Sequence, residues 1–277
     1  DPGTNSQNDA RIREKITLAG GELDLNGNYI DLRGGVVLEG KGINSTIRVK
    51  DGSTEVFARS GKVTGQGGLI KEGEGYLRLA TPLKYEGETI IEKGELRIAN
   101  NTTLPQTTDV SVKQGGTLRL VGEGNKIQSL NGEGSIILQH DVSILTSGLS
   151  GNNDEFSGVI SGKGGFTKVG DGTTTFSGDN TYEGTTNINK GKLKVTGTLS
   201  DSTAVTVAKN AIYKVDKTDE IGSIEGDGSI VIADDQILTA GGLKTDTAVS
   251  GIISGGGGFT KIGDGITTFA GTNTYQG

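Results

Sequence analysis

The chain has 277 residues, with 49 Gly, 3 Pro, 31% hydrophobic and 4% aromatic residues and no Trp, Met or Cys, which excludes a bulky aromatic-centred core. The formal net charge is −7 and the lysines and arginines are scattered along the sequence, so we expect no nucleic-acid partner. The missing cysteines exclude a disulfide framework, and no apolar run reaches the roughly 18 residues of a membrane-spanning helix.

Residues 1–45 are predicted to cap the fold and to form its first coils. The opening segment Asp1–Gln7 is polar, so no signal peptide is expected in this sequence. The segment Asp9–Lys15 is the one place that predicts a helical turn, which would suit a cap over the end of the stack. From residue 17 to residue 50, short apolar runs alternate with Gly and Asn, a pattern typical of short strands joined by tight turns.

Residues 46–277 are predicted to be one continuous solenoid made of internal repeats. The segment Gly165–Gly184 returns as Gly258–Gly277 with 15 of 20 positions identical, and a weaker copy runs over Gly68–Gly87. The copies begin about 95 residues apart, which predicts two full repeats and one incomplete repeat of four or five coils each. Because Gly277 stops within the third repeat, we interpret the chain as a piece of a longer protein.

The repeated positions predict a core and its turns. Alternation along the strands predicts inward side chains at Leu77, Leu79, Thr174, Phe176, Thr267 and Phe269. Left-handed or closely approaching turns are expected at Gly170, Gly172, Gly184 and Gly191. Asparagines that satisfy backbone groups at turns are expected at Asn180 and Asn273. One tyrosine position is expected to pack inside, at Tyr85, Tyr182 and Tyr275.

Few residues point to chemistry. His140 is the only histidine, it lies in the strand-like stretch Ile136–Leu145, and no Gly-x-Ser-x-Gly motif accompanies it, so we interpret it as structural. The carboxylates expected in solvated loops or turns are Asp154 and Glu155 beside Asn152 and Asn153, Asp234 and Asp235, and the repeat-matched Glu74, Asp171 and Asp264. The sequence therefore assigns no catalytic, cofactor or metal residue, and it leaves the binding residues unknown.

The repeated segment resembles a known family. Gly165–Val195 matches it well, Phe259–Gly277 matches as far as the chain runs, and Leu69–Ile98 matches loosely. These segments resemble the autotransporter-associated β-strand repeat, also called the passenger-associated transport repeat. The resemblance implies an all-β fold, a right-handed parallel β-helix, and export through a C-terminal β-barrel translocator that is absent from this sequence. It further implies a bacterial cell-surface or secreted location and a contribution of the repeats to secretion and folding.

We therefore predict a non-enzymatic passenger fragment that acts as a stalk and as an adhesin or self-association module. The expected partners are a host-cell or extracellular-matrix receptor, or a second passenger, and not nucleic acid. The loops Leu149–Phe156 and Gly242–Val249 hold the same place in the repeat but differ in sequence, so they are predicted binding regions. Two alternatives stay open: a β-helical polysaccharide-degrading enzyme, and a fragment of a pore-forming or vacuolating-type toxin passenger.

Overall fold

The fold is built from short strands. The computed structural model describes residues 10–25, 30–50, 56–58 and 61–277. Within these ranges the chain forms 35 strands of two to five residues and no helix. The strands are short because Gly, Asn and Asp interrupt each apolar run after a few alternating positions. In the same ranges, no helix has the length and apolar character needed to cross a membrane.

The first twelve strands are β1 (Ala10–Ile12), β2 (Ile16–Leu18), β3 (Glu22–Asp24), β4 (Ile30–Leu32), β5 (Val36–Leu38), β6 (Asn44–Arg48), β7 (Val56–Ala58), β8 (Val63–Gly65), β9 (Gly68–Glu72), β10 (Tyr76–Leu79), β11 (Leu83–Tyr85) and β12 (Thr89–Ile91). The next twelve are β13 (Gly94–Ile98), β14 (Asp109–Val112), β15 (Gly116–Leu120), β16 (Asn125–Lys126), β17 (Ser129–Gly132), β18 (Ser135–Leu138), β19 (Leu145–Ser147), β20 (Asp154–Phe156), β21 (Val159–Gly162), β22 (Phe166–Lys168), β23 (Thr173–Phe176) and β24 (Thr186–Ile188). The last eleven are β25 (Lys192–Val195), β26 (Ala204–Val207), β27 (Ile212–Val215), β28 (Asp219–Ile221), β29 (Ser223–Gly226), β30 (Ser229–Ile232), β31 (Ile237–Ala240), β32 (Thr247–Val249), β33 (Ile253–Ser254), β34 (Gly258–Lys261) and β35 (Thr267–Phe269).

Each strand pairs in parallel with the strand one turn later, which makes the fold a solenoid. The longest sheet has 12 strands, in the order β3-β6-β9-β12-β14-β17-β20-β23-β25-β27-β30-β33. Two 8-stranded sheets run β1-β4-β7-β10-β13-β15-β18-β21 and β16-β19-β22-β24-β26-β29-β32-β35, and the orders β11-β8-β5-β2 and β28-β31-β34 complete the set. The prediction of an all-β parallel solenoid of about 12 turns is thus confirmed. The right-handed sense of the coil stays an expectation from the resemblance to the repeat family.

The repeat does not fill a whole number of turns. It begins at β9 in the 12-stranded sheet, at β22 in the sheet that starts with β16, and at β34 in the 3-stranded sheet. From β9 the chain makes four complete turns, through β12, β14 and β17 to β20, and then needs two more strands to reach β22. Successive repeats therefore present equivalent residues on different faces of the solenoid.

The core is a stack of apolar columns. Leu79, Ile98, Leu120 and Leu138 pair in register on consecutive turns, and none is more than 1% exposed. Their burial follows from the alternation of each strand, because every second side chain points away from solvent. Burial of each such side chain contributes roughly 1.5–3 kcal/mol.

The predicted inward positions are buried in the first two repeats. Leu77, Leu79, Thr174 and Phe176 are all 1% exposed or less. Phe176 also lies 4.7 Å from Phe166 between ring centroids. In the third repeat, however, the prediction for Phe269 is wrong, because 38% of this residue is exposed.

The exposure of Phe269 has a simple physical cause. It lies in β35, the last strand, so no later turn stacks on its ring. It contacts Phe259 on one side only, with 5.2 Å between the ring centroids. Thr267 in the same strand is likewise only partly buried.

The turn residues behave as the sequence predicts. Gly170 and Gly191 have φ of 71° and 70°, a conformation that residues with a side chain rarely adopt. A Cβ on Gly172 would lie 2.0 Å from the carbonyl oxygen of Asn152, so that turn needs glycine for close approach. Across the turns, the backbone N–H groups of Ile160 and Ile253 donate to the side-chain oxygens of Asn180 and Asn273, each at 2.9 Å.

Two predictions on local structure are wrong. Residues Ala10–Ile12 of the expected helical turn form strand β1, which pairs with β4. A strand forms here because an equally alternating segment lies one turn later in the chain. Asp9 lies outside the described residues. His140 lies not in a strand but in the exposed turn between β18 and β19. The division into 1–45 and 46–277 stays a prediction, and its boundary falls inside β6.

Candidate functional site

Two buried hydroxyl chains occupy the same place in successive repeats. The Tyr85 hydroxyl lies 2.6 Å from Thr89 Oγ1, which in turn lies 2.8 Å from Thr108 Oγ1. In the second repeat the same distances are 2.6 Å from Tyr182 to Thr186 and 3.0 Å from Thr186 to Thr203. Burial raises the pKa of both tyrosines far above the usual value, so they stay neutral. The chains are satisfied internally and hold adjacent turns together, and the predicted packing role of Tyr85 and Tyr182 is confirmed.

A buried lysine also recurs in each repeat. Lys71 Nζ donates to the carbonyl oxygens of Glu72, Gly73 and Lys93 at 2.9, 2.7 and 3.0 Å. Lys168 is fully buried and makes the equivalent set of bonds. Burial lowers the pKa of Lys71 to about 8. In each of the first two repeats, one buried ammonium group thus donates to three backbone carbonyl oxygens, which is a structural task.

The first two repeats place different polar residues at one equivalent buried position. Asn125 Oδ1 accepts a hydrogen bond from the backbone N–H of Leu104 at 3.1 Å. At the equivalent position, Asp219 Oδ2 accepts from the backbone N–H of Leu199 at 3.0 Å. Burial raises the pKa of Asp219 to about 7, because a charged carboxylate is poorly solvated there. No sequence pattern pointed to this site, because an Asp in place of an Asn is a change usually tolerated in turns.

The prediction that Asp154 lies in a solvated loop is wrong. This residue is 5% exposed, begins strand β20, and accepts a hydrogen bond from Leu130 N at 2.9 Å. It pairs with Thr174 on the next turn. Burial raises the pKa of Asp154. A recurring inward position of the coil therefore holds this carboxylate, while its neighbour Glu155 points to solvent as expected.

The other predicted carboxylates lie in solvent. The repeat-matched positions form ion pairs at the surface, Glu74 with Lys93 at 3.4 Å and Asp171 with Lys190 at 2.9 Å. Asp264 makes the same kind of contact with a lysine. Asp234 and Asp235 are exposed in a turn. These groups are spread over different turns and are not brought together into one site.

His140 has no catalytic neighbours among its contacts. Its Nε2 atom lies 3.3 Å from Gln139 Nε2, and its backbone N–H donates to Ser143 Oγ at 3.1 Å. Ser143 Oγ is itself fully buried and bonded to the carbonyl oxygen of Val121 at 3.1 Å, so it is held as a turn residue. Across the described part of the chain, no group of three His, Cys, Asp or Glu residues is placed to hold a metal ion.

A groove lies on the outer face of the 12-stranded sheet. It has a volume of about 620 Å³ and crosses β6, β9, β12, β14 and β17. Its floor includes Thr46 and Ile70, which pair in register. Its charged lining consists of Glu72, Glu92, Glu133, Lys93 and Lys113. The strand register stacks one such group per turn, so the groove joins residues that are about twenty positions apart in sequence.

The groove continues toward the other end of the same strands. A smaller cavity of about 250 Å³ shares Lys113 and adds Glu88, Asp109 and Asn131. Polar side chains are fixed here by bonds between turns, such as Ser129 Oγ to Asp109 Oδ1 at 2.5 Å. The groove is therefore an ordered array of carboxylates, amides, hydroxyls and amines, which suits hydrogen bonding to a polar ligand.

The two predicted binding loops are shorter than expected. In the first, only Leu149–Asn153 forms an exposed turn, because the remainder is strand β20 with Phe156 fully buried. In the second, the turn ends before β32, where Val249 is 1% exposed. Each turn presents one apolar side chain, Leu149 at 40% and Leu243 at 42% exposure.

Comparison with known proteins finds a repeat family and a similar protein. The passenger-associated-transport-repeat family model matches residues 69–98, 166–195 and 259–277. Over 278 aligned residues the chain is 30% identical to a protein named adhesin BmaC autotransporter, from Brucella suis biovar 1 (strain 1330); the alignment covers 95% of this chain and 8% of that protein. A comparison with solved structures gives no match. The chain thus carries passenger-associated transport repeats in these three segments and is similar to part of an autotransporter adhesin, of whose length it spans 8%.

Proposed function

We propose that this segment is a non-enzymatic, adhesive part of a passenger located at the bacterial surface or released from it. One observation carries the proposal: the buried polar groups described above bond to other turns of the solenoid, so the groups left for a partner lie on the outer faces. The named relative supports it, since it is called an adhesin. The partner in this proposal is a host-cell or matrix component, or a second passenger.

A rigid solenoid also suits a stalk. Twelve turns stacked about 4.8 Å apart give a rod on the order of 60 Å long. Each turn contacts mainly its neighbours, so folding that starts in one repeat is able to spread along the rod. This is the physical basis for proposing that the repeats aid secretion and folding, with anchoring through a translocator encoded outside this sequence.

The experiment for adhesion is a binding panel. The purified chain is passed over immobilised matrix proteins, cell-membrane preparations, glycans and the chain itself, and binding is measured by surface plasmon resonance. Saturable binding to a panel member, or concentration-dependent self-association, is the expected result. If the folded chain binds none of them, the proposal that this segment is adhesive is wrong, and a role as a scaffold for secretion and folding remains.

A second function, cleavage of a polysaccharide, is favoured by one feature. The groove places Glu72, Glu92 and Glu133 beside Lys93 and Lys113, and paired carboxylates are the usual catalytic groups of glycoside hydrolysis. The test is release of reducing ends from acidic and neutral glycans, with E92Q as the variant. Turnover that E92Q abolishes would establish an enzyme in place of the adhesin.

A further inference from the structure

The arginines are confined to one part and mostly to one face of the molecule. All eight lie at or before residue 119, although the chain continues to residue 277. Of those among the described residues, six lie in, or one residue after, strands of the sheet that starts with β1. We call this set the arginine face: Arg11, Arg13, Arg33, Arg78, Arg97 and Arg119. The expectation that cations are scattered is therefore wrong for the arginines, because turns of about 20 residues stack them.

Three of these arginines form a ladder. Arg78 pairs in register with Arg97, and Arg97 with Arg119, so their side chains leave the sheet about 4.8 Å apart. Glu95 lies between the last two and accepts from Arg97 Nε at 2.8 Å and from Arg119 Nε and Nη2 at 2.9 Å each. The Arg97 guanidinium also lies 4.9 Å above the ring of Tyr76. One carboxylate thus orients two guanidinium groups.

The ladder keeps donors available for a ligand. Among the described contacts, Arg97 bonds to Glu95 through Nε, and its side chain is 31% exposed. A guanidinium held in a fixed orientation is suited to paired hydrogen bonds with a carboxylate, sulfate or phosphate group. Burial alone would raise the pKa of Glu95, but hydrogen bonds from Arg119 and Arg97 outweigh it and hold that pKa below the usual value. Glu95 therefore stays charged and keeps orienting the arginines.

A cation-lined cleft adjoins the same face. Beside Arg33 lies a cleft of about 350 Å³ whose charged lining residues are Lys15, Arg33 and Lys62. Its remaining lining includes the backbone of Gly34 and Gly35, so a ligand can approach closely. Among the residues that the structure describes, no carboxylate lines this cleft. Positive charge is thus concentrated here on a protein whose formal net charge is −7.

We propose that the arginine face and its cleft bind an acidic polysaccharide that lies along the solenoid axis. This inference rests on the proposed adhesive function and names its ligand class. Among the described residues of this face, the six arginines are accompanied by three carboxylates, Glu14, Asp31 and Glu95, along roughly 24 Å of stacked strands. Duplex DNA carries one negative charge per about 1.7 Å, far denser than this face. A sugar chain with one carboxylate or sulfate group on every sugar, or on every second sugar, matches the spacing of this face better. Its hydroxyl groups also offer hydrogen bonds to the carboxylates that lie between the arginines.

Binding to defined polyanions tests the proposal. The purified chain is titrated with heparin, hyaluronate, neutral dextran, duplex DNA and vesicles containing phosphatidylserine, at two salt concentrations. Saturable binding to heparin or hyaluronate that weakens with salt is expected, and the difference between these two separates sulfate from carboxylate recognition. Tighter binding to DNA or vesicles than to both acidic glycans would overturn the ligand class.

Charge variants then locate the site. R13Q/K15Q/K62Q removes the exposed Arg13 of the arginine face and the exposed cleft residues Lys15 and Lys62, and it is expected to weaken glycan binding at least about tenfold. The matched control K126Q/K192Q/K209Q removes the same charge elsewhere and is expected to stay within about twofold. Equal losses in the two variants would show that net charge, and not this face, governs binding.

A variant that is expected to strengthen binding separates the proposal from losses caused by misfolding. E95Q removes the carboxylate from the ladder while the amide oxygen still accepts hydrogen bonds, so glycan binding is expected to tighten by a few fold. Weaker binding with unchanged circular dichroism would contradict the ladder's role. If no acidic glycan binds while the panel of matrix and cell components still does, this inference is wrong and the adhesive function stands. If nothing binds at all, the adhesive function itself fails.

Discussion

The first and second repeats share an interior but differ on the surface. Both contain the buried tyrosine–threonine chain, starting at Tyr85 and Tyr182, and both contain a buried lysine, Lys71 and Lys168. On the outside, the column Arg78, Arg97 and Arg119 is replaced in the second repeat by Thr175, Lys194 and Lys214. The interior repeats because every turn must stack on the next, whereas the surface is free to vary.

The rotation between repeats widens this difference. Since each repeat occupies four turns and two more strands, the equivalent columns lie on different sheets, β10 in one and β23 in the other. A surface built by one repeat is therefore not continued by the next along the same face. One scaffold thus presents several different surfaces along a single rod, which suits an adhesive stalk.

The largest expected effect concerns an interior difference between the two repeats, Asn125 against Asp219. Because the pKa of Asp219 is raised to about 7, the folded state binds a proton more tightly than the unfolded state does. Stability from this residue is present at low pH and is lost as pH rises from about 4 to about 7. The expected loss is of the order of 2–4 kcal/mol, concentrated in the second repeat.

Reciprocal variants measure the pH-dependent contribution of Asp219 to stability. D219N is expected to remove that part of the pH dependence and to stabilise the protein at pH 8, since Asn125 makes the same bond in the first repeat. N125D is expected to introduce the same pH dependence there. Urea unfolding at pH 5 and pH 8, followed by circular dichroism and local hydrogen exchange, checks both. Identical pH profiles for wild type and D219N would refute the assignment.

The next-largest expected effect concerns the buried lysine that both repeats share. K71M and K168M each leave carbonyl groups without the ammonium that satisfies them, so each is expected to cost about 3 kcal/mol. Hydrogen exchange should place the loss in the turns around the changed lysine. The exposed K209M serves as the control and should change stability by less than about 0.5 kcal/mol. An unchanged stability of K168M would contradict the structural role of this lysine.

The smallest effect concerns the hydroxyl chains. Y85F and Y182F each remove one buried hydroxyl but leave the threonine pair in contact, so each is expected to cost about 1 kcal/mol. Equal losses in the two repeats, measured by urea unfolding, would support a shared interior. A large loss in one repeat alone would show that the two interiors are not equivalent.

The fold was largely predictable from sequence, since the repeats and the alternation directly reflect stacking. The positions of Phe176, Gly170 and Asn180 follow from patterns that any parallel solenoid must satisfy. Asp154 was missed because polar neighbours and a preceding Gly indicate a loop, whereas its alternation with Phe156 places it inward. The buried lysines were visible as a repeated position, but lysine is rarely buried, so composition argued against them.

The candidate binding surfaces were not predictable. The groove residues Glu72, Glu92 and Glu133 and the ladder residues Arg97 and Arg119 become neighbours only once the length of each turn is known. Those lengths range from 17 residues, between Ile212 and Ser229, to 27 residues, between Val36 and Val63. An error of one residue in register would move a side chain to the opposite face. Sequence alone therefore located the scaffold but not the surface that it builds.

The central claim is that this rod binds through its outer faces, and cell binding tests it most directly. Fluorescently labelled chain is titrated onto cultured host cells, with R13Q/K15Q/K62Q and K126Q/K192Q/K209Q titrated in parallel. The account predicts saturable binding that unlabelled chain displaces, that the first variant weakens, and that the second leaves nearly unchanged. A linear, non-displaceable signal equal to that of an unrelated labelled protein would contradict it.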